Sequence, residues 1–271
     1  MQKKQPLFEK KEFFESIYSR LNRRDLVHPD PLEFLYNYPK VPDREIVAII
    51  ASTLAYGRVA QILKSVTIVL SKMPSPATFL KSVSLESLQS TFRDFKHRFT
   101  TGNDVAWLLF GIKCTVEQYG SLEKCFVRGL KKNDGTVLPA LSTFVKKLVS
   151  PLEDKQSFAL PLPEKGSACK RLNLFLRWMV RRDEVDLGGW NSVPSSKLII
   201  PLDTHMHKIA LLLGMTKRRQ ANMCTALEIT SAFKKLVPED PVKYDFALTR
   251  LGIRSEIDLE TFIRNAKDTR T

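Results

Sequence analysis

Lys170 and Asp203 are the two residues of this chain whose types and settings best suit them for chemistry. A lysine amine is a nucleophile only as the free base, a form favoured by burial and by neighbouring cations. Arg171, Arg177 and Arg181 supply such cations on the same segment. Asp203 stands in Pro201-Leu-Asp-Thr-His205, just before an apolar helical pattern, where a carboxylate caps a helix by accepting backbone N–H bonds. Helix N–H groups keep a carboxylate in such a place ionised, and an ionised carboxylate steadies positive charge developing on a sugar ring. Each residue also has a purely structural reading: Lys170 as part of a solvated basic face, Asp203 as a cap and nothing more. His205 and His207 follow as His-x-His, which together with Asp203 suggests metal ligation. The only other histidines, His28 and His97, lie in no ligand motif, so no metal is expected. A metallohydrolase built on Asp203, His205 and His207 predicts a stoichiometric metal after purification.

These residues need two helices and a loop to bring them together. Ser167 to Arg182 has helical periodicity, with Leu172, Phe175, Leu176 and Met179 on one face and Lys170, Arg177 and Arg181 on the other. Pro161, Pro163 and Gly166 mark a turn-rich connection before it, over residues 158–167. Asp183 to Lys197, with Asp186-Leu-Gly-Gly-Trp190, reads as a loop. A helix then starts at Asp203 or Thr204, carries Met206, Ile209, Ala210 and Leu213 inward, and ends at Gly214. Upstream, Lys11 to Arg23 is a helix and Pro31 to Tyr36 a short segment, and Pro39 and Pro42 then stop helix formation. Asp43 caps an apolar helix over Arg44 to Ala55. Further helices follow at Val59–Met73, Pro76–Lys81, Leu85–Phe92, Gly102–Tyr119 and Val137–Leu148, then at Met223–Leu236, Pro241–Leu251 and Leu259–Ala266. Trp178, Trp190, Tyr56 and Tyr244 are the aromatics nearest the charged segments, placed either to stack on a base or to fill the core.

Composition narrows the function class. The chain has 271 residues, 43% of them hydrophobic and only 11 of them glycine, so it is long enough for one large or two modest cores and reads as all-α with few strands. Lysine and arginine number 43 against 29 acidic residues, for a net charge of +14 and a pI near 9.7. A polyanion such as nucleic acid is the natural partner. Cys114, Cys125, Cys169 and Cys224 form no Cys-x-x-Cys pair and are expected to be reduced and structural. The start is charged and shows no signal peptide, and the longest apolar run, Val47 to Tyr56, is too short to span a bilayer. A soluble, cytoplasmic protein without membrane association is expected. No phosphate-cradling glycine loop or nucleotide fingerprint is present.

The segment Leu198-Ile-Ile-Pro-Leu-Asp-Thr-His-Met-His-Lys-Ile-Ala-Leu-Leu-Leu-Gly214 resembles the Asp-Thr-His stretch of the helix-hairpin-helix base-excision DNA glycosylases. Ile46-Val-Ala-Ile-Ile-Ala-Ser-Thr-Leu-Ala-Tyr-Gly-Arg58 is similar to their early buried helix, and Tyr244-Asp-Phe-Ala-Leu-Thr-Arg-Leu-Gly252 to a late helix of some members. The usual hairpin, Leu-Pro-Gly-Val-Gly before a lysine, is replaced by Pro161-Leu-Pro-Glu-Lys-Gly-Ser-Ala-Cys-Lys170. In this, and in the long interval from Lys170 to Asp203, the chain is similar to the archaeal 8-oxoguanine glycosylase branch. As a whole it resembles a bacterial family of uncharacterised proteins.

The resemblance implies a two-lobed helical fold. A barrel lobe would span residues 41–199, and residues 200–271 would form a second lobe on which the N-terminal helices of 1–40 pack. It implies double-stranded DNA with a damaged base as partner and substrate, and the branch it resembles points to 8-oxoguanine. Lys170 and Asp203 would be catalytic, with glycosylase and strand-nicking lyase activity. Lys165, Gly166, Arg171, Arg177, Arg181 and His205 would hold the DNA, and Tyr56, Arg58, Trp190 and Asp245 would line the base pocket. The C-terminal four-cysteine pattern is absent, so neither an iron–sulfur cluster nor another cofactor is expected. The alternative is a non-catalytic nucleic-acid-binding helical protein that keeps the same fold.

Overall fold

The computed structural model describes residues 11–152 and 160–253, and they are mostly helical, as composition predicts. The expected helix at 259–266 lies outside the described residues, as do part of the 158–167 connection and the first ten residues. Helix α1 spans Lys11–Leu21 and is followed by a seven-residue 3-10 helix at Pro31–Asn37. Helix α2 spans Val41–Thr53, and nine consecutive residues from Glu45 to Thr53 are buried. A helix buried on all sides belongs at the centre of a core. Here α2 packs on the Pro31–Asn37 turn and on α9 (Lys170–Val180).

The start of α2 corrects one expectation. Pro42 was expected to stop the chain and Asp43 to cap the helix, yet the helix begins at Val41 with Pro42 inside its first turn. Proline's missing N–H costs nothing there, because first-turn N–H groups have no helical acceptor. Asp43 Oδ1 instead accepts from Ala77 N at 2.8 Å, tying α2 to the next helices.

The middle of the chain follows its sequence pattern closely. Helix α3 spans Val59–Ser71, α4 Pro76–Ser82, α5 Leu85–Phe92, α6 Gly102–Tyr119, α7 Leu122–Arg128 and α8 Leu138–Val149. The short α7 was not expected, its seven residues being too few for a clear periodicity. A two-residue pair, β1 (Lys96–His97) and β2 (Thr100–Thr101), forms an antiparallel hairpin. Beyond α9 come α10 (Thr204–Leu213), α11 (Met223–Leu236) and α12 (Asp245–Ile253). α12 packs on α1 and on α10, so the two ends of the described chain meet. Among the described residues no helix is long and apolar enough to cross a membrane.

Candidate functional site

Two helix starts converge on one point. At α10, Asp203 has extended backbone (φ −115°, ψ −174°) and its Oδ1 accepts from Met206 N at 2.8 Å. This is the predicted cap. Its other oxygen, Oδ2, lies 3.5 Å from Lys170 Nζ. The carboxylate therefore fills both roles at once, one oxygen holding the helix and the other facing the amine.

Lys170 is the first residue of α9. Cys169 before it adopts the left-handed region (φ +49°), and Gly166 does so three residues earlier (φ +78°). These two reversals let a tight turn at Pro163–Lys165 feed straight into the helix. The turn is pinned from outside, because Met223 N donates to Gly166 O at 3.2 Å and Ser167 bridges to Asn222 at the start of α11. The first position of a helix disfavours a cation, and Asp203 provides the compensating negative charge. The Cys169 thiol beside it is pushed up to about 11 by burial, against a hydrogen bond to Ser167 and the field of Arg171, so it stays protonated and inert. Cys114, Cys125 and Cys224 are likewise free thiols.

Lys170 and Asp203 open into a cleft of about 320 Å³. Its apolar walls come from Ala55, Val59, Ile62 and Leu174, and its inner polar end from Asp30, Arg177, Asp245 and Arg250. Asp245 is buried, with Oδ2 2.6 Å from Arg177 Nη1. Burial pushes its carboxyl up to about 6; Arg177 opposes the rise, and the nearby negative charges of Asp203 and Asp186 add to it. Of the expected site residues, Lys170, Arg177, Asp203, His205 and Asp245 all line this one cleft.

Arg177 and Arg181 are corrections. Both were expected on an exposed basic face, yet they are only 3% and 4% exposed. Arg177 bridges Asp186 and Asp245, while Arg181 bridges Asp183, Asp186 and Asp240. Burial alone would lower both guanidinium pKa values, but these carboxylates outweigh it and raise them. The reason is that α9 is enclosed on nearly every side: its polar face meets the acidic loop after it and the start of α12 instead of water. Neither arginine is free to meet a phosphate.

Trp190 is a second correction. It is 1% exposed and packed among Phe126, Phe144 and Phe175, with Nε1 donating to Glu45 Oε2 at 3.0 Å. The same Glu45 carboxylate accepts Leu122 N, so Trp190 anchors the core and does not reach the cleft. Tyr56 does not line the cleft of Lys170; with Phe99, Thr100 and Arg171 it lines a separate open pocket. Its hydroxyl sits 2.8 Å from His97 O and 2.7 Å from Thr100 Oγ1, and its ring stacks under Arg171. Arg171 itself donates to Thr53 O at 2.7 Å and is half-buried, lining that same open pocket and not the cleft. Arg58 is exposed beyond the cleft lining. Lys165 and Gly166 stand exposed on the turn before α9. His207 Nε2 lies 2.8 Å from Arg218 O and is thereby turned toward the α10–α11 connection. Among the described residues no group of three His, Cys, Asp or Glu side chains is arranged to hold a metal ion.

The sequence reading missed Arg98 and Phe99, the two residues at the tip of the β1–β2 hairpin. Phe99 is 75% exposed, far more than any other large apolar side chain described. The hairpin carrying it is rigidly mounted: buried His97 hydrogen bonds to Ser65 Oγ at 2.9 Å and to Tyr56 O at 3.0 Å. Arg98 lies in the left-handed region and its side chain rests on Gly57 at the cleft rim, where a Cβ would come within 2.9 Å of it. Gly57 is required by its own φ of +94°, whereas the flexible, exposed Arg98 side chain can move aside from an added Cβ. A hairpin of two-residue strands gives almost no periodic signal. Lys217 and Arg219, exposed on the connection that leads to Asn222, were missed for the same reason.

No curated protein and no solved structure matches this chain. Residues 30–254, which include every residue of the cleft except Pro29, match the family described as "Protein of unknown function (DUF2400)". With the greater part of its length covered by that match, the chain belongs to the DUF2400 family.

Proposed function

We propose that this protein is a DNA glycosylase with a coupled lyase step, acting on a damaged base turned out of a duplex into the cleft, and that it belongs to the helix-hairpin-helix glycosylase superfamily. The observation that carries the reading is the 3.5 Å approach of Lys170 Nζ to Asp203 Oδ2 inside a cleft. The turn at Pro163–Gly166 stands in the place of the hairpin, and the cleft would lie between two helical lobes. In the reaction, the amine nitrogen of Lys170 forms a bond to C1′ of the sugar as the N-glycosidic bond breaks. The bonding pair leaves with the base, which takes up a proton. Asp203 stabilises the positive charge that develops on the sugar and receives the proton that the attacking nitrogen loses. The proton held by Asp203 then passes to O4′ as the C1′–O4′ bond opens, which gives an iminium on Lys170. Loss of a C2′ proton expels the 3′ phosphate and nicks the strand.

The duplex would lie across exposed cations near the cleft that have no acidic partner among the described residues. Lys165, on the turn pinned to α11, and Lys217 and Arg219, on the connection leading into it, form one basic edge, and Arg98 stands at the other rim. The backbone N–H of His205, in the first turn of α10 beside the cleft, belongs to the same surface. Contacts of this kind fix position without reading sequence. Phe99 stands at the rim as an apolar wedge able to enter a base stack that has lost its partner.

Phe99→Ala is expected to leave the melting temperature unchanged, since the side chain packs on little, and to weaken binding to lesion duplexes by roughly 5- to 50-fold. Fluorescence anisotropy beside a thermal melt checks both. The function as a whole is tested by incubating the protein with duplexes carrying single 8-oxoguanine, hypoxanthine, uracil or abasic residues and resolving strand scission. Cleavage of at least one base lesion is expected. Tight binding to all of them without cleavage would leave a nucleic-acid-binding protein that does no chemistry.

A further inference from the structure

The inner end of the cleft carries two hydrogen-bonding atoms that the fold itself does not use. Asp245 Oδ1 and Arg250 Nε are both buried and find no hydrogen-bond partner among the described residues. Their neighbours on the same side chains are fully engaged: Asp245 Oδ2 with Arg177, and Arg250 Nη2 with Asp30. Asp245 and Arg250 are 2% and 4% exposed, lie on the same helix, α12, and line the cleft that holds Lys170 and Asp203. Native proteins satisfy nearly all buried polar groups, so two orphans on one wall of one cleft point to a ligand that completes them.

We propose that Asp245 and Arg250 form the specificity wall of the cleft and select a planar base that presents an N–H beside a C=O, the cis-amide edge of an oxopurine or oxopyrimidine. The carboxylate oxygen accepts the ring N–H and the guanidinium Nε–H donates to the carbonyl. The complementarity excludes rings whose oxygen is alkylated and rings with no carbonyl, because each would leave one buried group without its partner. Phe246, between them in sequence, lies under the Arg250 and Arg177 guanidinium groups at 4.6 and 5.8 Å. Together with the Asp30–Arg250 and Arg177–Asp245 pairs it holds the wall in place before the ligand arrives. This inference rests on the reading of the cleft as a base pocket.

The test uses full-length protein and duplexes whose lesion nucleotide carries a 2′-fluoro group, which slows excision so that binding can be read alone. Hypoxanthine and 8-oxoguanine present the cis-amide edge; O6-methylguanine and 2-aminopurine do not; a tetrahydrofuran site has no base. Wild type is expected to bind at least one cis-amide lesion about tenfold or more tighter than the other three. Asp245→Asn, which puts an amide N–H where the acceptor was, should abolish that preference while keeping the affinity for the tetrahydrofuran duplex. Arg250→Lys, which keeps a cation for Asp30 but removes Nε, should weaken it in the same sense, and serves in place of Asp245→Asn if that variant melts early.

A preference untouched in both folded variants would overturn the inference, as would a wild type that binds all five duplexes equally. If no duplex binds at all, the functional reading fails separately. The wall is then tested with free bases: stabilisation by hypoxanthine but not by purine, lost in Asp245→Asn, supports it, and equal responses overturn it.

Discussion

Arg177→Met is expected to cost about 3–5 kcal/mol of folding free energy, the usual consequence of removing one partner from a buried ion pair. Methionine keeps much of the volume, so the loss comes from charge and not from a cavity. Asp186 retains Arg181, with Nη1 2.5 Å from its Oδ2, but Asp245 loses the one ion-pair partner it has among the described residues. The pH dependence follows from the sign of the remaining shift. The Asp245 carboxyl already stands above its ordinary range at about 6, and without Arg177 it moves higher. A carboxyl raised in the folded state holds its proton more tightly there than when unfolded, so its burial becomes more costly as pH rises from the unfolded value near 4 through the folded value. The variant should therefore lie closest to wild type near pH 4 and fall furthest behind near pH 7. Urea melts at the two pH values measure this; equal deficits at both would mean that Asp245 is not the group left uncompensated.

Asp203→Asn is expected to reduce base excision by about 10²–10⁴-fold while changing stability by no more than about 1 kcal/mol. The asparagine side-chain oxygen can still accept Met206 N–H, so the cap on α10 survives. What disappears is the negative charge beside Lys170 Nζ, on which both the stabilised sugar cation and the proton transfer depend. Asp203→Ala removes cap and charge together and separates the two contributions. Single-turnover excision beside a thermal melt of each variant gives the answer. If the asparagine variant excises normally and only the alanine variant is impaired, Asp203 is a cap and nothing more.

Where the sequence was informative, periodicity and capping chemistry carried the information. Met223–Leu236, Leu85–Phe92 and Gly102–Tyr119 form as their patterns predict, and Asp203 and Gly214 bracket α10 as cap residues should. Lys170 and Asp203 could be chosen as a pair from residue type, helix position and resemblance, and they meet in one cleft. Helical phase misled at Arg177 and Arg181. It correctly set them opposite the Leu172–Met179 stripe, but phase reports only which residues share a face, not whether that face meets water. The acidic residues that bury them, Asp183, Asp186, Asp240 and Asp245, come from a loop and from the region around the start of a distant helix, a tertiary fact with no local signal. Trp190 was ambiguous for a similar reason: its partner Glu45 is 145 positions away. The hairpin holding Phe99 was too short to leave a pattern at all.

The central claim is that the Lys170 amine attacks the sugar, and reductive trapping tests it most directly. Wild type and Lys170→Gln are incubated with a lesion duplex in borohydride, and the products are resolved by denaturing electrophoresis and mapped by mass spectrometry. A covalent protein–DNA adduct is expected with wild type, located on Lys170 and absent from the glutamine variant. No adduct with wild type on any lesion or abasic duplex, or an undiminished adduct in Lys170→Gln, would contradict it.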